Sequence, residues 1–191
     1  LDLVTACTDP ASVMEWFTSH PECHRILGKG ESKSSIELNN GINVQLWAQP
    51  PERFGTLLQF VSGSKEHNVR LRELAQKKGL SLNEQAIIRD DGSEMLFSDE
   101  EGIYETLGLQ FVPPELREDR GEVQAAGDNK LPILVKPGDL RADLHMHTTW
   151  SDAAHSIKDM ALAARALGYH TLAITDHTSG LGITGGLTVE G

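Results

Sequence analysis

The sequence predicts an α+β segment followed by an α/β segment, and three observations carry that reading. Polar and apolar residues alternate on either side of Asn39-Asn40-Gly41, which marks a β-hairpin among mixed helices and strands. After Pro137-Gly138 the texture changes to a strand, an Ala-rich helix and an apolar strand, the order of a β-α-β unit. Five of the eight histidines fall between His145 and His177, inside that second segment.

Taken in order, Leu1–Ala6 alternates and reads as a short strand. Pro10 opens a helix over Ala11–Ser19 with Val13, Met14 and Phe17 on one apolar stripe. Lys33–Leu38 and Ile42–Ala48 are the hairpin strands. Phe54–Ser62 is an apolar run ending in Ser62-Gly63-Ser64. A helix from Lys65 to Lys78 follows, closed by Gly79, with two lysines in the last turn where the helix dipole favours them. Leu82–Leu96 reads as a second small sheet turning at Asp90-Asp91-Gly92. Ser98–Leu107 is helical, with Ser98 and Glu101 in a capping-box pattern, and Pro113-Pro114 ends that region. Glu115–Lys136 is polar and reads as a linker. Arg141–His147, Ser156–Leu167 and Thr171–Thr175 are the strand, helix and strand of the β-α-β unit, with a parallel strand pair expected.

Composition narrows the function classes. No apolar run approaches the ~20 residues of a membrane span, and the N-terminus lacks a basic-then-apolar signal pattern. Cys7 and Cys23 are too few for a disulfide framework, so a reduced, cytoplasmic compartment is expected. The formal charge of -11 argues against a protein that coats nucleic acid, although phosphates respond to the local field rather than the total. That field is segregated along the chain. Lys65–Gly79 holds five basic residues against two acidic ones, and Asp90–Glu105 holds seven acidic residues and no basic one. Two solvated faces are the simplest account of it. The start at Leu1, without a Met, leads us to expect a fragment.

His145 and His147 lie two apart on a strand, so their imidazoles share one side. Asp152 follows in the loop where strand gives way to helix, and Asp176-His177 stands at the end of the next strand. Parallel α/β architecture assembles sites at such carboxyl ends. Imidazole with carboxylate suits Zn, Mn or Fe, and two or three ions would assist phosphoester hydrolysis. A lone His-x-His on a strand is usually structural; the spaced Asp and the Asp-His at the neighbouring strand end change that balance. His155 and His170 read as structural.

Asp143-Leu144-His145-Met146-His147-Thr148-Thr149-Trp150-Ser151-Asp152 resembles the first signature of the PHP (polymerase and histidinol phosphatase) family, and Ile174-Thr175-Asp176-His177-Thr178 resembles its second. The resemblance implies a distorted seven-stranded α/β barrel holding three metals. It assigns His145, His147, Asp152 and His177 as ligands and gives Asp176 an orienting role. It also places the remaining ligands beyond Gly191.

Upstream, Leu27–Lys33, Gly41–Leu46, Phe60–Ser64, Asn68, Arg72, Leu82-Asn83-Glu84 and Pro114–Glu122 resemble, in consistent order, the palm and thumb of a family X (polymerase beta-like) DNA polymerase. The resemblance implies an α+β palm (its C-terminal part, residues 1–58), a thumb (59–122), a linker (123–140) and the opening of an α/β PHP domain (141–191), incomplete here. It makes Asp2 a catalytic ligand for Mg²⁺ or Mn²⁺. Phe60, Gly63 and Ser64 would pack against the incoming sugar, Asn68 would reach the nucleotide and Arg72 the template base. The family's third catalytic aspartate falls on Gln45, and no Asp or Glu lies between Leu38 and Pro51. Glutamine carries no charge and accepts no proton.

The resulting expectation is a monomeric DNA-repair polymerase that acts on gapped or nicked duplexes with dNTPs. Its PHP half is a 3′-5′ exonuclease using Mn²⁺, with Zn²⁺ or Fe as alternatives. Two rivals stay open: a small-molecule PHP phosphatase, and a DNA-end-binding scaffold with a decayed polymerase site.

Overall fold

Four strands and one helix build the first layer. They are β1 (Asp2–Ala6), α1 (Pro10–Thr18), β2 (Cys23–Lys29), β3 (Lys33–Leu38) and β4 (Asn43–Gln49), with sheet order β1-β4-β3-β2. The computed structural model describes residues 1–180 and 182–189. β1 runs parallel to β4, and the other pairs are antiparallel. The hairpin turns at Gly41, whose φ of 81° favours a residue without Cβ. Asp9 caps α1 by accepting the Ser12 N–H at 3.1 Å, and Pro10 sits in the first turn where no N–H is needed. The expected stripe then docks on the sheet. Met14 and Phe17 pack with Ile36, Val44, Leu46 and Ala48. Alternation leaves Asn43, Gln45 and Trp47 on the opposite face of β4.

The apolar run over 54–62 is helical. It forms α2 (Phe54–Ser62), followed by α3 (Lys65–Lys77), β5 (Leu80–Leu82), β6 (Ile87–Arg89), β7 (Glu94–Met95) and α4 (Glu101–Thr106). Ser64 caps α3 through the His67 N–H at 3.3 Å. Gly55 is required by close approach, since a Cβ there would lie 2.1 Å from the Asp99 carbonyl oxygen. A second core forms around Leu71, Ala75, Leu82, Ile87, Ile103, Tyr104, Leu107 and Val112.

Three sequence expectations change. β2 was not foreseen; it pairs with β3 through two register irregularities and is mostly exposed, so it lacks a hydrophobic alternation. Ser98 and Glu101 do not form a capping box: Asp99 takes the Gly102 N–H at 3.1 Å instead. The stretch expected as a linker from residue 123 begins inside a helix, α5 (Glu122–Gly127), whose Ala126 joins the second core. The chain divides into Leu1–Pro132 and Ile133–Gly191, a division that falls within the stretch 123–140 expected as the linker.

The second unit contains β8 (Ala142–Met146), α6 (Ile157–Ala166) and β9 (Thr171–Ile174). β8 and β9 pair in parallel, as the β-α-β pattern predicts. Ser156 and Asp159 form the reciprocal capping box that opens α6. Leu181, Glu190 and Gly191, at the end of the expected PHP range, lie outside the described residues.

Candidate functional site

In the second unit, β8 carries His145 and His147 to its C-terminal end, the following loop carries Asp152, and the residues just past β9 carry Asp176 and His177. The parallel pairing sets these two strand ends side by side. Donor atoms of His147, Asp152 and His177 lie within 4.8 Å of one another, a group able to hold a metal ion. The His147 and His177 rings stack with centroids 4.4 Å apart. His147 Nδ1 is 3.6 Å from one Asp152 oxygen and His177 Nε2 is 3.7 Å from the other. Both separations are too long for a good hydrogen bond. His147 Nδ1 is buried and has no hydrogen-bond partner, a costly state for a polar atom unless something else engages it. An imidazole nitrogen so placed beside a carboxylate and a second imidazole fits a divalent transition metal.

His145 stands slightly apart from this group. Its Nε2 is 3.1 Å from Nε2 of His147, at the other nitrogen of that ring. The structure therefore brings together three of the four expected ligands and leaves the fourth adjacent.

Asp176 does something different. One of its oxygens accepts the Thr148 N–H and the Ser151 hydroxyl, each at 2.6 Å, and the other accepts the Thr148 hydroxyl at 2.6 Å. Desolvation raises its pKa, but these hydrogen bonds outweigh it and hold the carboxyl below the usual range. The aspartate thus ties the 148–151 loop to the end of β9, in keeping with an orienting role. Sequence reasoning missed its partners, although both hydroxyls lie within the first signature. It also missed Gly186, where a Cβ would stand 2.3 Å from the Thr178 carbonyl oxygen. Only a glycine lets the chain pass there, so that Leu187 N–H reaches the His177 carbonyl at 2.8 Å. His155 and His170 are exposed and contribute backbone hydrogen bonds.

In the first unit, Asp2 on β1 pairs directly with Gln45 on β4, which in turn pairs with Ser35 on β3. Gln45 therefore occupies the strand position beside the exposed aspartate. Trp47, two residues on, is covered by the Lys33 ammonium at 4.1 Å and meets the Phe60 ring edge-on at 5.9 Å. Glu37 is engaged with Arg25 at 2.7 Å.

Phe60, Asn68 and Arg72 line one small indentation with Gln59, Leu82 and Asn83. Asn68 is buried rather than solvated. It accepts from Gln59 at 2.6 Å and donates to the Phe60 carbonyl at 2.8 Å. Arg72 is exposed, and its Nε donates to the Asn68 carbonyl at 3.2 Å. Gly63 and Ser64 form the turn that leads into α3.

Comparison with known proteins follows the same division. Residues 57–118 match the DNA polymerase beta thumb family, and residues 143–184 match the PHP domain family. The chain is 35% identical over 195 residues to the DNA polymerase/3′-5′ exonuclease PolX of Bacillus subtilis (strain 168), an alignment covering 100% of this chain and 34% of that protein. It thus spans about a third of the length of that curated relative. Among solved structures it is similar to Leishmania infantum polymerase beta in a ternary P/T complex, with a TM-score of 0.50 and 18% identity over 61% of this chain and 60% of that one. At that identity the likeness concerns the fold.

Proposed function

We propose that this chain belongs to the bacterial family X polymerases with an attached PHP domain and serves DNA repair by extending 3′ ends into short gaps and trimming them by metal-dependent hydrolysis. The observation that carries the reading is the convergence of His147, Asp152 and His177 in a chain that also holds a polymerase-type thumb. The full activity, the DNA and dNTP substrates, a monomeric state and a cytoplasmic location all belong to this proposal. So does the division into palm (1–58) and thumb (59–122), with the thumb extended through α5.

In the PHP half, His145, His147, Asp152 and His177 would hold the metal, proposed as Mn²⁺ with Zn²⁺ or Fe as alternatives. Such an ion supplies an activated water and neutralises charge developing on the phosphodiester. The chain's own contribution is positional. Asp176, through Thr148 and Ser151, holds the loop between the two ligand-bearing strand ends.

In the palm, Asp2 would help hold Mg²⁺ or Mn²⁺, while Phe60, Gly63, Ser64, Asn68 and Arg72 would face the nascent base pair. Gln45 beside Asp2 favours a second reading, in which the polymerase half binds DNA ends but transfers nucleotides poorly. Primer extension by the full-length protein distinguishes the two. Extension abolished by Asp2→Ala supports a working polymerase; intact 3′-end degradation without extension supports the binding-only palm. Neither activity on any DNA end would overturn both.

A further inference from the structure

The buried side of α3 holds, next to Asn68, a polar assembly that the proposed chemistry does not use. His67 is fully buried, and both of its ring nitrogens are engaged by different helices. Nδ1 lies 2.7 Å from a Glu122 oxygen of α5, and Nε2 lies 2.9 Å from the Tyr104 hydroxyl of α4. Glu122 also accepts the backbone N–H groups of Asp119 at 3.1 Å and Arg120 at 2.7 Å. A carboxylate receiving these donors is ionised, so the imidazole proton sits on Nδ1 and Nε2 accepts from the tyrosine. The imidazole is neutral: burial lowers its pKa, and the attraction of Glu122 only partly opposes this.

We propose that Glu122 and His67 are positioning residues that fix the rotation of α3 about its own axis, and thereby set how Asn68 and Arg72 are presented to the nascent base pair. The inference rests on the reading of that face as nucleotide- and template-facing.

Three features of the geometry support it. Besides His67, the buried face of α3 carries Asn68, Leu71 and Ala75, and the apolar contacts of the last two are non-directional and tolerate small rotations. His67 supplies direction, because a ring held at both nitrogens from two helices cannot turn. Asn68 is the next residue along, and its amide is fixed in series by Gln59 and the Phe60 carbonyl, while Arg72 Nε is fixed by the Asn68 carbonyl. A turn of α3 by one hydrogen-bond length would therefore displace both recognition side chains together. A well-packed apolar pair at 67 and 122 would serve stability about as well as a buried carboxylate. What it would lack is angular definition.

The test uses full-length protein on a one-nucleotide gap with a dideoxy-terminated primer and a 2-aminopurine template base, so that correct-dNTP affinity is read without catalysis. His67→Phe keeps the ring volume and removes both directional bonds. We expect dNTP binding to weaken about fivefold or more, while Arg72→Ala in that background adds less than about twofold to the loss. In the parent, Arg72→Ala alone should weaken binding by a clearly larger factor. If His67→Phe leaves dNTP affinity at the parental value while Arg72→Ala lowers it, the pair is merely structural and the proposal fails. If Arg72→Ala itself has no effect, the reading of the α3 face fails, and the proposal falls with it. Should His67→Phe not fold, Tyr104→Phe, which removes a single donor from the ring, is judged by the same criteria.

Discussion

Replacing Gln45 by Asp is the perturbation that reaches furthest into the palm. Position 45 is paired with Asp2 on adjacent parallel strands, which run about 4.8 Å apart. Two carboxylates at that spacing repel by about 0.9 kcal/mol in water and about 3.5 kcal/mol at an effective dielectric of 20. Asp2 is exposed and Gln45 half-buried, so the lower figure is the better guide. Without metal the variant should lose roughly 1 kcal/mol of stability. A divalent cation relieves that repulsion, so Mn²⁺ or Mg²⁺ should raise the melting temperature of Gln45→Asp more than that of the parent. On the chemistry, a positioned proton acceptor contributes about 10²–10⁴-fold. That equals about 2.7–5.4 kcal/mol of barrier. Single-turnover filling of a one-nucleotide gap by full-length protein should therefore speed up by a factor in that range. A variant no faster than the parent, with an unchanged response to metal, would refute the assignment of position 45 to the catalytic set.

Other expectations rest on separate parts of the structure. Arg117 is buried against Glu100 at 2.6 Å and packs on Tyr104 and Phe111, so Glu100→Ala should cost about 3–5 kcal/mol in urea denaturation by stranding a buried charge. A loss below about 1 kcal/mol would contradict this. His67 is held neutral by burial, with its folded pKa below the ordinary 6.5, so the unfolded chain binds the extra proton first. Its contribution to stability is present above pH 6.5 and is lost as the pH falls from there towards the folded value. Thermal melts should show this decline, and His67→Phe should flatten it; a melting temperature that rises on acidification would be contrary. Asp176→Ala removes three hydrogen bonds to Thr148 and Ser151 and should weaken Mn²⁺ binding about 10–100-fold by calorimetry. Unchanged affinity would remove its orienting role.

Much of the arrangement is readable in the sequence where a strong local signal coincides with a tertiary need. Asn39-Asn40-Gly41 supplies a turn that the sheet also requires, and the Met14 and Phe17 stripe has a sheet face to cover. The β-α-β texture and the spacing of His147, Asp152 and His177 forecast a cluster at adjacent strand ends, and it forms there. What escaped was decided by contacts distant in sequence. β2 is an irregular edge strand held by its partner rather than by its own pattern. α5 looked like linker because its burial depends on a small alanine and on a glutamate whose partner, His67, lies 55 residues earlier. The series of bonds on Asn68 was equally invisible. A polar residue on a helix reads as solvated until the carbonyl it satisfies, here that of Phe60, is known.

The most direct test of the whole account is the rate at which full-length protein with Mn²⁺ removes nucleotides from a 3′-recessed, 5′-labelled duplex, measured with bound metal for the parent and for the His147→Ala, His177→Ala double variant. The account predicts 3′-to-5′ degradation by the parent, and a double variant that loses bound metal and about 100-fold or more of the rate while DNA binding is retained. A double variant that degrades the duplex at the parental rate with its metal content unchanged would contradict it.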